Sequence, residues 1–401
     1  MAKIIFVLGE LPYPLDKGAK IRTFYLLSSL CERHEVYLFG LKEGQEDKWK
    51  IEELKKICKD VIVFERAMKK NGWKFYRDLF LNLFSGRPYI VSRGYSRFMA
   101  EEVKRSLKKD KFDVIICDSL QQAPNLLGVN GIPKILNTHN VELVIRKRHC
   151  EVERNIFKKA YMYLQLSKLE KYELSALQAF DHILAVSEND KETMAGYRSN
   201  PKPRITVIPN GVDCDYCRPV TERSVPDSLI FTGSMDWIPN EDAMLYFLKE
   251  IFHLVKQKVP DISLTIVGRN PSSRLQKECA RIPSVKLTGY VDDVRPFIAK
   301  SSLYIVPLRI GGGTRLKILE AMAMRKPVIS TSIGSEGLDV EDKQNIVTAD
   351  EPQKFAEGIV TLLRNGEEAD RIAANGRKLV EERYDWNVVT QKLLSLIEEI
   401  C

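Results

Sequence analysis

Short apolar runs rich in β-branched residues recur along this chain, each closed by a glycine or polar turn and followed by a helical stretch. In the first half they are Ile4 to Leu8, Val36 to Phe39, Val61 to Phe64, Val114 to Cys117, Ile135 to Asn137 and Ile183 to Val186. In the second half they are Leu229 to Thr232, Ser263 to Val267, Val285 to Leu287, Leu303 to Val306 and Val328 to Ser330. Uniformly apolar strands suit a sheet buried on both faces, and alternation with helices makes that sheet parallel and doubly wound. The Pro-rich break Asn200-Pro201-Lys202-Pro203 separates two such sets. The chain therefore reads as two α/β domains, 1–203 and 204–383, with Ile205 to Ile208 opening the second. Helices are expected at Ile21–Glu32, Trp73–Leu83, Ser96–Lys109 and, as one long element, Val144–Leu177. Further helices are expected from Glu241 behind an Asn240 cap, from Asp292 and from Arg315 behind a Thr314 cap.

Ligands of such sheets sit beyond the carboxyl ends of the strands. In the second half those ends carry Gly233, Gly268, Gly289 and the run Gly311-Gly312-Gly313-Thr314. The last of these joins a buried strand to a helix. A glycine loop and a helix N-terminus supply free N–H groups and a positive dipole end, which favour an anion. Arg315 and Lys317 add charge, and Glu320 lies further along the helix, within reach of a sugar hydroxyl. A tight turn that only packs helix on sheet is the plainer alternative; several glycine-ended strands in one domain favour a nucleotide pocket. The first strand is followed by Gly18 alone, without the glycine spacing of a dinucleotide fold, so a nicotinamide dehydrogenase is not expected.

The net charge of +8 is uneven: residues 1–203 hold 36 Lys or Arg against 26 Asp or Glu, and the remainder is slightly acidic. A basic half suits an anionic membrane surface or acidic polymer. No nucleic-acid reading motif accompanies it, and a nucleic-acid partner is not expected. The eight cysteines are scattered, as for reduced thiols, and Cys214-x-x-Cys217 lacks the second pair that zinc would need. No signal peptide or membrane-length run is apparent, so a cytoplasmic chain is expected, with peripheral contact at the inner membrane face.

Read in order, several stretches resemble the retaining glycosyltransferases of family 4. They are the first loop ending at Gly18, Thr138-His139-Asn140, Pro209-Asn210-Gly211-Val212-Asp213, Val267-Gly268, Gly289 to Asp293, Gly311 to Met322, Lys326-Pro327-Val328 and Tyr384-Asp385-Trp386. The version here looks like a bacterial branch of surface-polysaccharide and glycolipid assembly. The resemblance implies a GT-B fold of two facing Rossmann-like domains, with residues 384–401 returning to the first. It implies an acceptor-binding first domain, a nucleotide-sugar-binding second domain and chemistry in the cleft. By position, Glu320 matches the residue that binds ribose hydroxyls, and Gly313 and Thr314 the loop that meets the diphosphate. Tyr290 and Val291 match the base-holding segment, Gly18 the residue that makes room for phosphate and sugar, and His139 the histidine that touches the transferred sugar.

Two departures stand out. The family motif has two glutamates, and here Gly312 occupies the first position, so sugar recognition cannot be carried over. The basic pair usual after the glycine of the second domain's first strand is also missing, since Gly233 is followed by Ser234-Met235-Asp236-Trp237. Arg315 and Lys317, with Arg269, are expected to replace it. The expected reaction is sugar transfer, with retention, from a UDP- or GDP-sugar to a glycan or lipid-linked acceptor. No cofactor or metal is expected, and Asp292-Asp293 reads as a helix start. Asp16 and Asp118 are candidates for acceptor-side carboxylates, with turn formation or capping the favoured reading of each. Rival functions are a sugar-nucleotide epimerase and a non-catalytic nucleotide- or glycan-binding module.

Overall fold

The computed structural model describes all residues except 43–47, 67–71, 154, 198–202, 221–223 and 312–314. The chain divides into two compact units: residues 1–209 together with 390–401, and residues 210–389. In the first, β1 (Lys3–Leu8), β2 (Glu35–Lys42), β3 (Asp60–Glu65), β4 (Val114–Asp118), β5 (Lys134–Asn137), β6 (His182–Ala185) and β7 (Arg204–Val207) form one sheet in the order 3-2-1-4-5-6-7. All pairs are parallel, with Ile4 beside Val36 on one side and Val114 on the other. Ile4 to Leu8 are fully buried, as a strand covered on both faces requires.

The second unit repeats the plan. β8 (Ser228–Thr232), β9 (Ser263–Val267), β10 (Val285–Leu287), β11 (Leu303–Val306), β12 (Val328–Ser330) and β13 (Val347–Thr348) run parallel in the order 10-9-8-11-12-13. Its core is continuous from Phe231 through Phe247 and Phe252 to Phe355. Each sheet reverses its winding once, between β1 and β4 and between β8 and β11. Such reversal points open a crevice at the carboxyl edge.

Four expectations change. Arg204–Val207 pairs with β6, so the first unit runs through Pro209 and the break at 200–203, of which 200–202 lie outside the described residues, falls within its sequence bounds. The chain rejoins the first unit at Thr390 rather than at residue 384. The helix read as Val144–Leu177 is two, Glu142–Val152 and Ile156–Gln178, the second capped by the Asn155 side chain. The helix placed behind Asn240 begins at Ile238 with Pro239 in its first turn, which leaves Asn240 for another task.

Candidate active site

In the second unit the reversal point gathers the cations predicted to serve a diphosphate. The helix Leu316–Ala323 starts after β11, and Lys317 lies in its first turn. Lys317 Nζ donates to Asn240 Oδ1 at 2.8 Å and lies 4.0 Å from the centre of the Phe231 ring. It fits there because residue 233 is glycine. The backbone at Gly233 has φ +156°, and a Cβ would fall 2.7 Å from both Lys317 Nζ and Asn240 Nδ2. Asn240, read as a cap, thus holds Lys317 while its amide donates to the Ser234 carbonyl.

Arg269, at the end of β9, donates from Nε to Ser234 Oγ at 2.9 Å. Arg315 occupies the cap position of the Leu316–Ala323 helix and lies against Gly311, where a Cβ would meet its guanidinium at 2.6 Å. Its positive charge disfavours a second one at Lys317. Burial is the larger influence there, and Lys317 falls to about 7 despite the opposing pull of Glu320. Burial likewise lifts Glu320 to about 7 against the pull of Lys317. Both side chains retain some solvent contact, yet protein surrounds them closely enough that each is driven toward its neutral form.

Tyr290 follows β10 and is 69% exposed, while Val291 packs partly on the core. Gly289, with φ +74°, accepts from the Gly268 amide and so ties that loop to the end of β9. Gly312, Gly313 and the predicted cap Thr314 lie outside the described residues. Asp293 is occupied by Arg295, accepting from its backbone amide and guanidinium just before the helix Arg295–Lys300. Among the described residues no three His, Cys, Asp or Glu side chains gather to hold a metal ion.

The first unit has its own polar cluster at the β1/β4 reversal. Gly18 is the exposed first residue of the helix Gly18–Arg33. His139 Nε2 lies 3.1 Å from Asp118 Oδ1, at the end of β4. Asn137 donates to the same oxygen at 2.6 Å, and Thr23 donates to Oδ2 at 2.8 Å. Burial pushes the Asp118 carboxyl up, but the attraction of His139 and the bonds from His139, Thr23 and Asn137 outweigh it and hold the group below its ordinary value. Asp118 is therefore the partner of His139, not a cap. Asp16, by contrast, pairs with Lys20 at 2.9 Å in the turn before the helix.

Beneath this cluster Arg22 is fully buried. Its guanidinium donates to Asn137 Oδ1 and to the carbonyls of Ile208 and Pro209. Burial lowers it to about 10, opposed by Asp118 and Asp190. Sequence reasoning missed Arg22, Thr23, Asn137 and Asn240. A signal existed for Arg22, which falls in helical register with the buried Leu26 and Leu30 and so places a charge on an apolar stripe.

Comparison with known proteins identifies the family and the fold. A family profile described as "Glycosyltransferase Family 4" matches residues 17–216, and one described as "Glycosyl transferases group 1" matches 226–365. The chain belongs to glycosyltransferase family 4. A spore coat protein SA from Bacillus subtilis is 31% identical over 99% of both chains. A phosphatidyl-myo-inositol mannosyltransferase from Mycobacterium tuberculosis is 27% identical over 48% of this chain and 54% of its own. Among solved structures, Anabaena HepE in complex with UDP-glucose superposes with a TM-score of 0.68, at 15% identity and full coverage of both chains. As a family-4 glycosyltransferase the chain has the GT-B architecture, and each unit gathers a polar cluster at its sheet reversal.

Proposed function

We propose that this glycosyltransferase transfers a sugar, with retention and without a metal ion, from a UDP- or GDP-sugar to a glycan or lipid-linked acceptor. The observation that carries the reading is the convergence of Lys317, Arg315 and Arg269 at the β8/β11 reversal, around Gly233 and one turn from Glu320. The leaving group of such a reaction is a nucleoside diphosphate, whose developing charge must be stabilised. Arg315, Arg269, a helix N-terminus and Lys317, whose charge a bound diphosphate would restore, would meet that need. Glu320 would accept from the ribose hydroxyls, Tyr290 and Val291 would flank the base, and Gly312, Gly313 and Thr314 would meet the diphosphate. Gly18 would make room for phosphate and sugar, and His139, held by Asp118, would contact the transferred sugar. The second unit would then bind donor and the first acceptor.

A UDP-glucose complex in a protein of the same fold supports this donor class, and a mannosyltransferase relative named for a phosphatidylinositol supports a lipid acceptor. A lipid acceptor in turn favours peripheral contact of the basic first unit with an anionic membrane. Thermal shift across UDP-, GDP- and ADP-sugars tests the donor, since a ligand that binds the native state raises its melting temperature. The donor that stabilises is then followed by product analysis in EDTA. Transfer with retained anomeric configuration is expected; inversion, activity restored only by Mg²⁺, or epimerisation without an acceptor would each refute the corresponding part.

A further inference from the structure

The helix Trp73–Leu83 is amphipathic in the reverse sense. Asp78 and Asn82 face the protein, 8% and 4% exposed, whereas Trp73 and the adjoining Phe84 are 80% and 79% exposed. Tyr76 and Phe80 complete the outer stripe, with the Phe80 and Phe84 rings 5.6 Å apart. Trp73, Tyr76, Phe80 and Phe84 fall within a narrow arc at helical spacing. The inward polar residues are bonded, so this is the settled orientation. Asn82 donates to the Arg87 carbonyl and accepts from Gln165, and Lys168 donates to the carbonyls of Asn82 and Leu83. An isolated exposed aromatic needs no explanation, but a contiguous stripe of four marks a contact surface.

We propose that this helix docks the first unit onto an anionic lipid bilayer, an inference that rests on the membrane contact argued above and names its surface. Charge selects the occupant. Residues 73–98 hold five Lys or Arg against one acidic residue, and that one, Asp78, is turned inward and bonded to Arg77. Lys74, Arg77 and Arg87 are exposed along and beside the aromatic stripe. Trp and Tyr rings with flanking cations match the interfacial layer of a membrane, where the rings reach the acyl boundary and the cations meet phosphate headgroups.

The test is co-sedimentation of the full chain with vesicles of phosphatidylcholine and phosphatidylglycerol in equal parts, and with phosphatidylcholine alone. The wild type is expected to bind the mixed vesicles, less in high salt. A Trp73→Ser, Phe80→Ser, Phe84→Ser variant, which alters only exposed side chains, is expected to keep its melting temperature and partition at least about tenfold less. Quenching of tryptophan fluorescence by brominated lipid should fall in Trp73→Phe. Equal binding by wild type and triple variant would overturn this surface while leaving the membrane contact in place. No vesicle binding by the wild type would overturn both. A wild-type dimer in sedimentation velocity that the triple variant dissolves would assign the stripe to a second copy instead.

Discussion

Replacing Lys317 by Met separates stability from binding in a way that few substitutions at a ligand site do. An amine displaced from 10.5 to about 7 is costly to charge in the folded state, by roughly 5 kcal/mol if the whole displacement is read as free energy. Water reaching a half-buried amine reduces that figure to about 2 kcal/mol, and loss of the bond to Asn240 takes back about 1 kcal/mol. Lys317→Met should therefore stabilise the unliganded protein at pH 7 by about 1 kcal/mol. For a unit of this size that corresponds to a rise in melting temperature of about 2–4 °C. On the proposed function the same change would also remove a charge-assisted contact to the donor diphosphate, worth about 1.5–3 kcal/mol, or roughly 10- to 100-fold in affinity.

The pH dependence follows from the same pair. Lys317 binds more protons unfolded than folded between about 7 and 10.5, so its share of stability rises with pH across that window. Glu320 binds more protons folded than unfolded between 4.5 and about 7, so its share falls with pH there. Together they place a trough in stability near neutrality, which Lys317→Met should make shallower on the alkaline side. Differential scanning fluorimetry from pH 5 to 10, with and without UDP-sugar, reads both effects. Calorimetric titration in two buffers of different ionisation enthalpy should show proton uptake by the wild type on binding, because a diphosphate restores the charge on Lys317. A variant that melts lower than wild type yet binds donor equally well would refute the reasoning.

Three further outcomes are expected. Gly233→Ala places a methyl group on Lys317 and Asn240 at a positive φ, and should cost about 1–3 kcal/mol together with most donor affinity; unchanged thermal shift by donor would contradict it. Asp118→Asn should lower kcat by about tenfold or more, through a misplaced His139, with a smaller effect on donor KM, as steady-state assays would show. It should also remove stability that is present above the ordinary Asp value and lost as pH falls through the lower folded one. Arg22→Leu strands the Ile208 and Pro209 carbonyls and should cost about 3–5 kcal/mol in chemical denaturation.

What the sequence made legible was whatever depends on order along the chain. Lys317 and Glu320 could be placed because a strand, a glycine loop and a helix follow one another within twenty residues. The Asp118–His139 pair could not, because two strand ends twenty-one residues apart meet only once β4 and β5 lie side by side. Asn240 before Glu241 has the form of a helix cap, and only the turn of chain at Ile238 and Pro239 frees its side chain for Lys317. The domain boundary read from the sequence falls too early for a similar reason. The Pro-rich stretch at 200–203 looks like a linker, but Arg204–Val207 still has an open sheet edge to pair with.

The Trp73–Leu83 helix shows a deeper limit. Periodicity reports that a helix has two unlike faces and is silent on which one turns inward. Burying Trp73, Tyr76, Phe80 and Phe84 would by itself favour the reverse orientation, which a hydrophobic pattern alone predicts. The opposite orientation persists because Asn82, Gln165 and Lys168 form a bonded set that ties this helix to Ile156–Gln178. Turning the helix over would leave those groups unsatisfied beneath it, at about 1–3 kcal/mol each. The outward aromatics are thus fixed by the polar contacts behind them. Asn82→Leu should loosen the helix from the first unit, raising its amide exchange, whereas Phe80→Ser should leave exchange there unchanged.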